Sequence, residues 1–176
     1  DFTSNQPLFL DDMILICNGE IYNHKQLADS SGIKLNTNSD CEIILHLYKK
    51  FGIKNTLPLL DGVFSFVLYH NNTVIVARDP IGVRPTFICN TKNYTLISSE
   101  AKCNFEYTNR IYQLLPGHYQ IYKANKLVFY NNYYKLPFVN IYHDKIEDVI
   151  NNIQYLLIKA VNKRLMSDRP IGALLS

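Results

Sequence analysis

The middle of the chain alternates between short apolar runs and turn-forming residues, and this pattern restricts the fold more than any other feature. The runs form three pairs, and a short segment rich in Asn, Thr or Lys joins the two members of each pair. Short runs separated by turn signals are typical of β-hairpins. The pairs are residues 63–68 with 73–77, 86–89 with 95–98, and 118–122 with 127–130. Because the runs are almost continuously apolar, we predict largely antiparallel sheets that are covered on both faces.

A helix is predicted immediately before this strand-rich region. Apolar residues recur at helical spacing through Ile43, Leu47 and Phe51, and Gly52 supplies a stop signal. Ser39 and Glu42 have the spacing of a capping box, in which each side chain accepts a hydrogen bond from the backbone of the other residue. We therefore expect the helix to begin at this pair and to end at Gly52.

A second helical pattern follows the strand-rich region. It runs for about five turns over residues 146–165, and Asp144 and Glu147 repeat the capping-box spacing at its start. Residues 167–170 interrupt the pattern, and residues 171–176 are typical of a new buried strand. We place a domain boundary between residues 136 and 143, which gives an α+β protein with the beginning of a second domain.

The overall composition excludes several classes of protein. Hydrophobic residues make up 47% of the chain and charged residues 19%, with only seven Gly and seven Pro, which excludes collagen and disordered chains. The net charge of +3 is too small to indicate nucleic acid or a membrane as a partner. There is no signal peptide or apolar run of membrane-spanning length, so we expect a soluble cytoplasmic protein. Four widely spaced cysteines predict free thiols and no metal site.

An Asn-Gly step at residues 18 and 19 follows a strand-like run over residues 13–17. Asn and Gly both tolerate positive φ, so the step predicts a tight turn, here one that leads into a loop. An Asn amide followed by a Gly N–H also supplies two donors that can converge on a carbonyl oxygen. Amide hydrolysis requires such donors beside a nucleophile and a base.

Seven short motifs occur along the chain, from CNGEIYNH at residues 17–24 to KRLMSDRPIGALLS at residues 163–176. The others are SDCEIIL (39–45), LDGVFSF (60–66), RDPIGVRP (78–85), SEAK (99–102) and LPGHY (115–119). In this order they resemble the glutamine-hydrolysing asparagine synthetase family over essentially the whole chain. The first and fourth also resemble other class II glutamine amidotransferases, such as amidophosphoribosyltransferase. The last motif discriminates, because it resembles the entry into the synthetase's ATP-binding domain.

The resemblance implies a fold and a reaction. Residues 1–136 would form an N-terminal-nucleophile hydrolase-like sandwich of antiparallel sheets flanked by helices, lacking its N-terminal part. Residues 137–176 would form a linker and the first helix and strand of an α/β ATP-binding synthetase domain. Glutamine hydrolysis would release ammonia, which attacks an ATP-activated aspartate to give asparagine, AMP and pyrophosphate. Glutamine, aspartate and ATP would be the substrates, with Mg²⁺ accompanying ATP, and a homodimer is implied as well.

The resemblance also implies roles for individual residues. Asn18 and the Gly19 N–H would form the oxyanion hole for the glutamine amide. Glu20, chiefly through its backbone, and Asp40 would contact the amino-acid end of glutamine, where a carboxylate suits the α-ammonium group. Asp40 could equally complement the dipole of the helix that follows it. We interpret Cys17 as an apolar filler, and the charged residues of the fourth and fifth motifs (Arg78, Asp79, Arg84, Glu100 and Lys102) as structural.

Two reactive centres of the family are not found in this sequence. The family's nucleophile is an N-terminal cysteine, whereas this chain begins with Asp1, and Leu175 and Ser176 reach only the edge of the implied ATP site. We therefore expect the isolated chain to lack glutaminase activity. Two alternatives remain open at this point. One is another class II amidotransferase, of the amidophosphoribosyltransferase or β-lactam synthetase type, and the other is a catalytically inactive fragment.

Overall fold

A computed structural model describes residues 4–104, 110–136, 145–167 and 170–174. The chain divides into two units, Asp1–Lys135 and Leu136–Ser176. The first unit contains all the strands of the described residues and three helices: α1 (His24–Ser31), α2 (Glu42–Phe51) and the short α3 (Ile53–Thr56). The second contains one long helix, α4 (Ile146–Arg164).

Nine strands of the first unit form two antiparallel sheets. The larger sheet has the order β1-β2-β3-β4-β8-β9, and the smaller has the order β6-β5-β7. The strands are β1 (Leu8–Leu10), β2 (Met13–Ile21), β3 (Gly62–His70), β4 (Thr73–Arg78), β5 (Phe87–Asn90), β6 (Thr95–Ser98), β7 (Ile111–Gln113), β8 (His118–Lys123) and β9 (Lys126–Asn132). The α+β fold class with antiparallel sheets is therefore confirmed.

All three predicted hairpins are present. β3 pairs with β4, β5 with β6, and β8 with β9. The first hairpin turns at Asn71 and Asn72 and the third at Ala124 and Asn125, and all four have positive φ. Consecutive residues of this kind match the right-handed twist of the flanking strands.

Two cores lie on opposite faces of the larger sheet. One, between this sheet and the helices, includes Leu15, Phe64 and Phe66 with Leu45 of α2. The other, between the two sheets, is built from Val76, Ile88, Leu114 and Tyr122. The prediction of two covered faces is thus confirmed for β3 and β4. It is wrong for β9, because that strand forms the edge of the sheet and its residues are mostly exposed.

The predicted turn at Asn18 and Gly19 is wrong. Both residues lie inside the nine-residue strand β2, where Asn18 is opposite Ser65 and Gly19 is opposite Phe64. A Cβ atom at Gly19 would lie 2.2 Å from the Val63 carbonyl oxygen. The glycine therefore permits a close approach of two strands rather than a reversal of the chain, which is the other common reason for a glycine inside a strand.

Helix α2 is confirmed, but its predicted capping box is wrong. The helix ends at Gly52, whose N–H donates to the Tyr48 carbonyl oxygen. At its start Cys41 occupies the N-cap position, and no side chain of the described residues caps the helix there. The Glu42 carboxylate instead accepts hydrogen bonds from Asn36 and Thr37, in the segment before the helix.

The helix predicted after the strand-rich region is confirmed as α4 of the second unit, a helix of 19 residues. Lys145 is its N-cap, without a side-chain capping bond among the described residues, and Asp144 lies outside those residues. Residues 171–174 are exposed and have no regular structure, so the strand prediction is wrong for them. A strand requires partners for its backbone groups, and no strand of the described residues belongs to this unit. None of the helices in the described ranges has both the length and the apolarity that a bilayer crossing requires.

Candidate functional site

The site predicted from the sequence lies at an open edge of β2. The edge strand β1 pairs only with residues 13–15 of β2, so the remainder of β2 extends beyond it. Gly19 is opposite Phe64, whose N–H and C=O both bond to Asp79 on the far side of β3. In an antiparallel ladder this makes Gly19 and Phe64 a non-hydrogen-bonded pair. The N–H of Gly19 therefore points toward the open edge of the sheet.

Side chains occupy the edge groups on either side of Gly19. The Cys17 N–H donates to Gln6 Oε1 at 2.6 Å, and the Cys17 carbonyl accepts from Gln6 Nε2 at 2.6 Å. Two residues beyond Gly19, the Ile21 N–H donates to Asp40 Oδ2 at 2.5 Å. The backbone N–H and C=O groups of residues 17, 19 and 21 point toward the same edge, because the direction of these groups alternates from one residue to the next along a strand. Of these three N–H groups, only that of Gly19 is left without a side-chain acceptor in the described part of the chain.

Asn18 supplies the second predicted donor from the face of the sheet. Its exposed side chain stands on the face opposite the helices, and its Nδ2 donates to Ser99 Oγ at 3.2 Å. A primary amide carries two N–H groups, so this bond leaves one N–H for a ligand. The Asn18 amide thus lies on the face of the sheet and the Gly19 N–H lies at its edge, on either side of the corner where face and edge join.

The two predicted carboxylates occupy different positions. Asp40 lies at the edge, where its carboxylate accepts the Ile21 N–H. A carboxylate can accept further hydrogen bonds in addition to this one. Glu20 lies on the same face as Asn18 and is half-buried, while its carbonyl oxygen points toward β3, 2.2 Å from where a Cβ of Gly62 would be. The structure therefore brings Asn18, Gly19 and Asp40 together at one corner and places only the side chain of Glu20 beside them. The binding roles of these residues stay predictions.

Two cysteines lie under this corner, and both are buried. The Cys41 thiol donates to the Gly19 carbonyl oxygen at 3.8 Å. A hydrogen bond with the Cys17 thiol, together with burial, raises the pKa of Cys41 far above that of an ordinary thiol. A nucleophilic cysteine requires a thiolate, which the raised pKa disfavours for Cys41. Both cysteines pack in the helix-side core.

Arg78 and Asp79 have the structural role that was predicted for them. The buried Asp79 carboxylate accepts N–H groups of its own loop and of Phe64. The Arg78 guanidinium donates to three backbone carbonyl groups. The loop donors to Asp79 are Ile81, Gly82, Val83 and Arg84, and the acceptors of Arg78 are Gly82, Arg84 and Leu114. Because Phe64 is opposite Gly19, this network also fixes the backbone on which the site is built.

Sequence reasoning missed Gln6 and Ser99 as residues of the site. Ser99 lies 81 positions from the Asn18 amide that it accepts from, and Gln6 lies 11 positions from Cys17. Ser99 does occur in one of the seven motifs, which is the only signal in the sequence that marks it. No local periodicity or spacing identifies Gln6, because its role depends on the edge that β1 leaves uncovered.

A concavity of about 420 Å³ is separate from this corner, because its lining, which includes Tyr69, Val74, Ile97 and Tyr122, does not include the β2 edge. A second concavity, of about 290 Å³, is lined by residues that include Thr37 and Glu42. Among the described residues, no group of three or more His, Cys, Asp or Glu side chains could hold a metal ion. The candidate site is therefore an exposed corner of backbone and side-chain donors rather than an enclosed pocket.

Comparison with known proteins identifies the family. Residues 1–105 match the family model described as a glutamine amidotransferase domain, which is more than half of the chain. The chain belongs to the glutamine amidotransferase domain family. Within this family, the predicted resemblance to the class II amidotransferase domain of asparagine synthetases is confirmed by the relatives described next.

Similar proteins include the asparagine synthetases of rat and human. Each is 40% identical over 187 residues, a match that covers 92% of this chain and 33% of the relative. The chain thus spans about a third of the length of these relatives. Among solved structures, the glutamine phosphoribosylpyrophosphate amidotransferase of B. subtilis has a TM-score of 0.64 at 28% identity, covering 76% of this chain and 33% of that one. The matched third of that amidotransferase therefore has a fold similar to that of this chain.

Proposed function

We propose that the corner at β2 binds glutamine and stabilises the oxyanion that forms when its amide is hydrolysed. The observation that carries this proposal is the Gly19 N–H, which lies between edge groups occupied by Gln6 and Asp40. Gly19 and Ile21 are about 7 Å apart along the strand. An extended glutamine spans a comparable distance between its ammonium nitrogen and its amide oxygen. It can thus reach Asp40 with its ammonium group while its amide oxygen lies at Gly19.

The residues of the corner have distinct roles in this proposal. The Asn18 amide and the Gly19 N–H donate to the developing oxyanion, where preorganised donors are most effective. Asp40 pairs with the α-ammonium group of glutamine, a charge-assisted hydrogen bond. Ser99 accepts from Asn18 Nδ2 and so orients the amide with its nitrogen toward the substrate. The Glu20 side chain adds a second negative charge to that of Asp40, on the sheet face that carries Asn18.

The ammonia released here is transferred, in our proposal, to an aspartate activated by ATP, which yields asparagine. The 40% identity to asparagine synthetases supports this acceptor, and the match covers 92% of the chain and so continues beyond the 135 residues of the first unit. The amidophosphoribosyl-type alternative is less well supported, since its structural match reaches 28% identity over 76% of the chain. ATP with Mg²⁺ would act at the second unit, where Leu175 and Ser176 lie outside the described residues.

Asn18→Ala in the protein expressed from its native gene provides the test. Asparagine formation from aspartate and ATP is measured once with glutamine and once with ammonium chloride as the nitrogen source. Loss of one oxyanion donor lowers such rates by about 10²–10³-fold, so we expect this loss with glutamine. The ammonia-dependent rate should remain unchanged, because ammonia bypasses amide hydrolysis.

Two results would contradict the proposal. Equal losses with both nitrogen sources would mean that Asn18 does not act in amide hydrolysis. ATP-dependent transfer to an acceptor other than aspartate would refute the asparagine synthetase assignment while leaving the glutamine site intact. Lys126→Ala, an exposed change at the start of β9, serves as the control and should leave both rates unchanged.

A further inference from the structure

Glu42 is a buried carboxylate without a role in the proposed chemistry. Its exposed fraction is 3%, and four donors surround it. The N–H groups of Asn36 and Thr37 donate to it at 2.7 and 2.6 Å, and the Thr37 hydroxyl donates at 2.6 Å. His46 Nε2, one turn along α2, lies 2.9 Å from Oε1. A carboxylate with this many short bonds holds its neighbours in one geometry.

These bonds close the segment that carries Asp40. The Thr37 hydroxyl also accepts the Ser39 N–H at 3.1 Å, and the Ser39 carbonyl accepts the Glu42 N–H at 3.2 Å. Asp40 therefore lies between a residue tied to Thr37 and the first residue of α2. The two residues that follow Ser39 both touch the β2 edge, since Asp40 accepts from Ile21 and the Cys41 thiol donates to the Gly19 carbonyl.

We propose that Glu42 is a positioning residue that sets the affinity for glutamine by fixing the carboxylate of Asp40 at the Ile21 N–H, two residues along the edge from Gly19. This inference rests on the proposed function, because it assumes that Asp40 binds the α-ammonium group. Fixing a binding group before the ligand arrives removes the entropy cost of ordering it on binding. Without Glu42, residues 36–41 would lose the bonds that join them to α2, and each binding event would have to order Asp40 again.

The effect of Glu42 should depend on the ammonium group of the ligand, and this separates positioning from general stabilisation. Glutaramate has the amide and carbon chain of glutamine but lacks the α-amino group. Glu42→Gln keeps the size of the side chain but places an NH₂ group against donors, so it disrupts the segment. In the protein expressed from its native gene, we expect Glu42→Gln to raise the KM for glutamine about 10-fold or more, with kcat within about 3-fold. The inhibition constant of glutaramate should change less than about 2-fold.

Three further variants sharpen the test. Asp40→Asn should show the same selective loss, and the double variant with Glu42→Gln should lose little more, because the two residues act through one contact. Thr37→Val removes the bridging hydroxyl and should raise the KM for glutamine by a smaller factor, whereas Thr37→Ser should restore it. Glu147→Gln, a matched charge loss at an exposed position of α4, should change nothing.

Each outcome is decisive. If Glu42→Gln weakens glutamine and glutaramate equally, or leaves the KM unchanged, Glu42 does not position Asp40 and the inference is overturned. If that variant does not fold, the comparison of Thr37→Val with Thr37→Ser gives the same decision. If the unaltered protein does not turn over glutamine, or Asp40→Asn has no effect on its KM, the proposed function fails first and the inference falls with it.

Discussion

Gly19 meets two separate requirements of the structure. Its missing side chain allows β2 and β3 to approach closely, because a Cβ atom would lie 2.2 Å from the Val63 carbonyl oxygen and 2.6 Å from Phe64 Cα. Its N–H also points to the open edge between the groups held by Gln6 and Asp40. A substitution here therefore affects the packing of the sheet and the geometry of the site together.

Gly19→Ala should destabilise the 176-residue chain by about 1–3 kcal/mol, the usual range for overpacking, because the atoms in contact are backbone and cannot move aside. Urea unfolding followed by circular dichroism measures the effect. Gly172→Ala is the control, since a Cβ there meets nothing within 4 Å, and it should change the free energy of unfolding by less than about 0.5 kcal/mol. Equal stabilities of the two variants would show that β2 and β3 do not approach as described.

At the scale of elements, the segment before α2 depends on one carboxylate. Burial by itself raises the pKa of Glu42, but hydrogen bonds from Thr37, Asn36 and His46 outweigh burial, so the pKa lies below its ordinary value. The folded state thus favours the ionised carboxylate more than the unfolded chain does. The stabilisation is complete above the ordinary pKa of a glutamate, about 4.3, and is lost as the pH falls through the lower pKa of the folded state.

Acid should therefore remove the stabilising effect of Glu42. We expect the difference in unfolding free energy between the unaltered chain and Glu42→Gln to be constant near pH 5 and to shrink toward pH 3. Imidazole groups ordinarily stay protonated throughout this window, which limits their contribution to the change. Urea unfolding at several pH values measures the difference, with Glu147→Gln as the control. A difference that does not depend on pH would contradict the lowered pKa.

At the scale of the first unit, the larger sheet joins two cores. Val76 of β4 packs toward the smaller sheet, while its neighbours Ile75 and Ala77 pack toward the helices. Asp79, which follows β4, binds Phe64 of β3 and the loop that leads to β5. The two cores are thus joined through adjacent residues of one strand, and we expect them to unfold together.

Core substitutions on either face of the sheet should act on one cooperative transition. Phe66→Ala in the helix-side core and Ile88→Ala in the intersheet core should cost about 3–5 and 2–5 kcal/mol respectively. Both residues are essentially inaccessible, whereas Val128 is exposed, and Val128→Ala should cost less than about 0.5 kcal/mol. Tyrosine fluorescence and circular dichroism should give coincident transitions for every variant. A separate early transition in Ile88→Ala would show that the smaller sheet unfolds independently.

The sequence by itself determined the hairpins, helices α2 and α4 and the α+β fold class. These features depend on local signals: the alternation of apolar runs with turns, helical spacing, and Gly52 at a helix end. The seven motifs also indicated the amidotransferase family and selected Asn18, Gly19, Glu20 and Asp40. Each of these inferences uses residues that are close together in the chain or motifs whose order is visible in it.

Only the tertiary structure decided how the candidate site is built. A local turn signal at Asn18 and Gly19 gave way to the pairing of eight β2 residues with β3, because ladder bonds along a strand outweigh the preference of one dipeptide. The predicted capping box likewise gave way to hydrogen bonds that Glu42 accepts from residues 36 and 37. With His46, these bonds place the buried Glu42 carboxylate among four donors. Gln6 and Ser99 acquire their roles only when strands distant in sequence become neighbours. Contacts of this kind depend on which edges and faces the assembled sheet leaves uncovered, and no local pattern of residues encodes that.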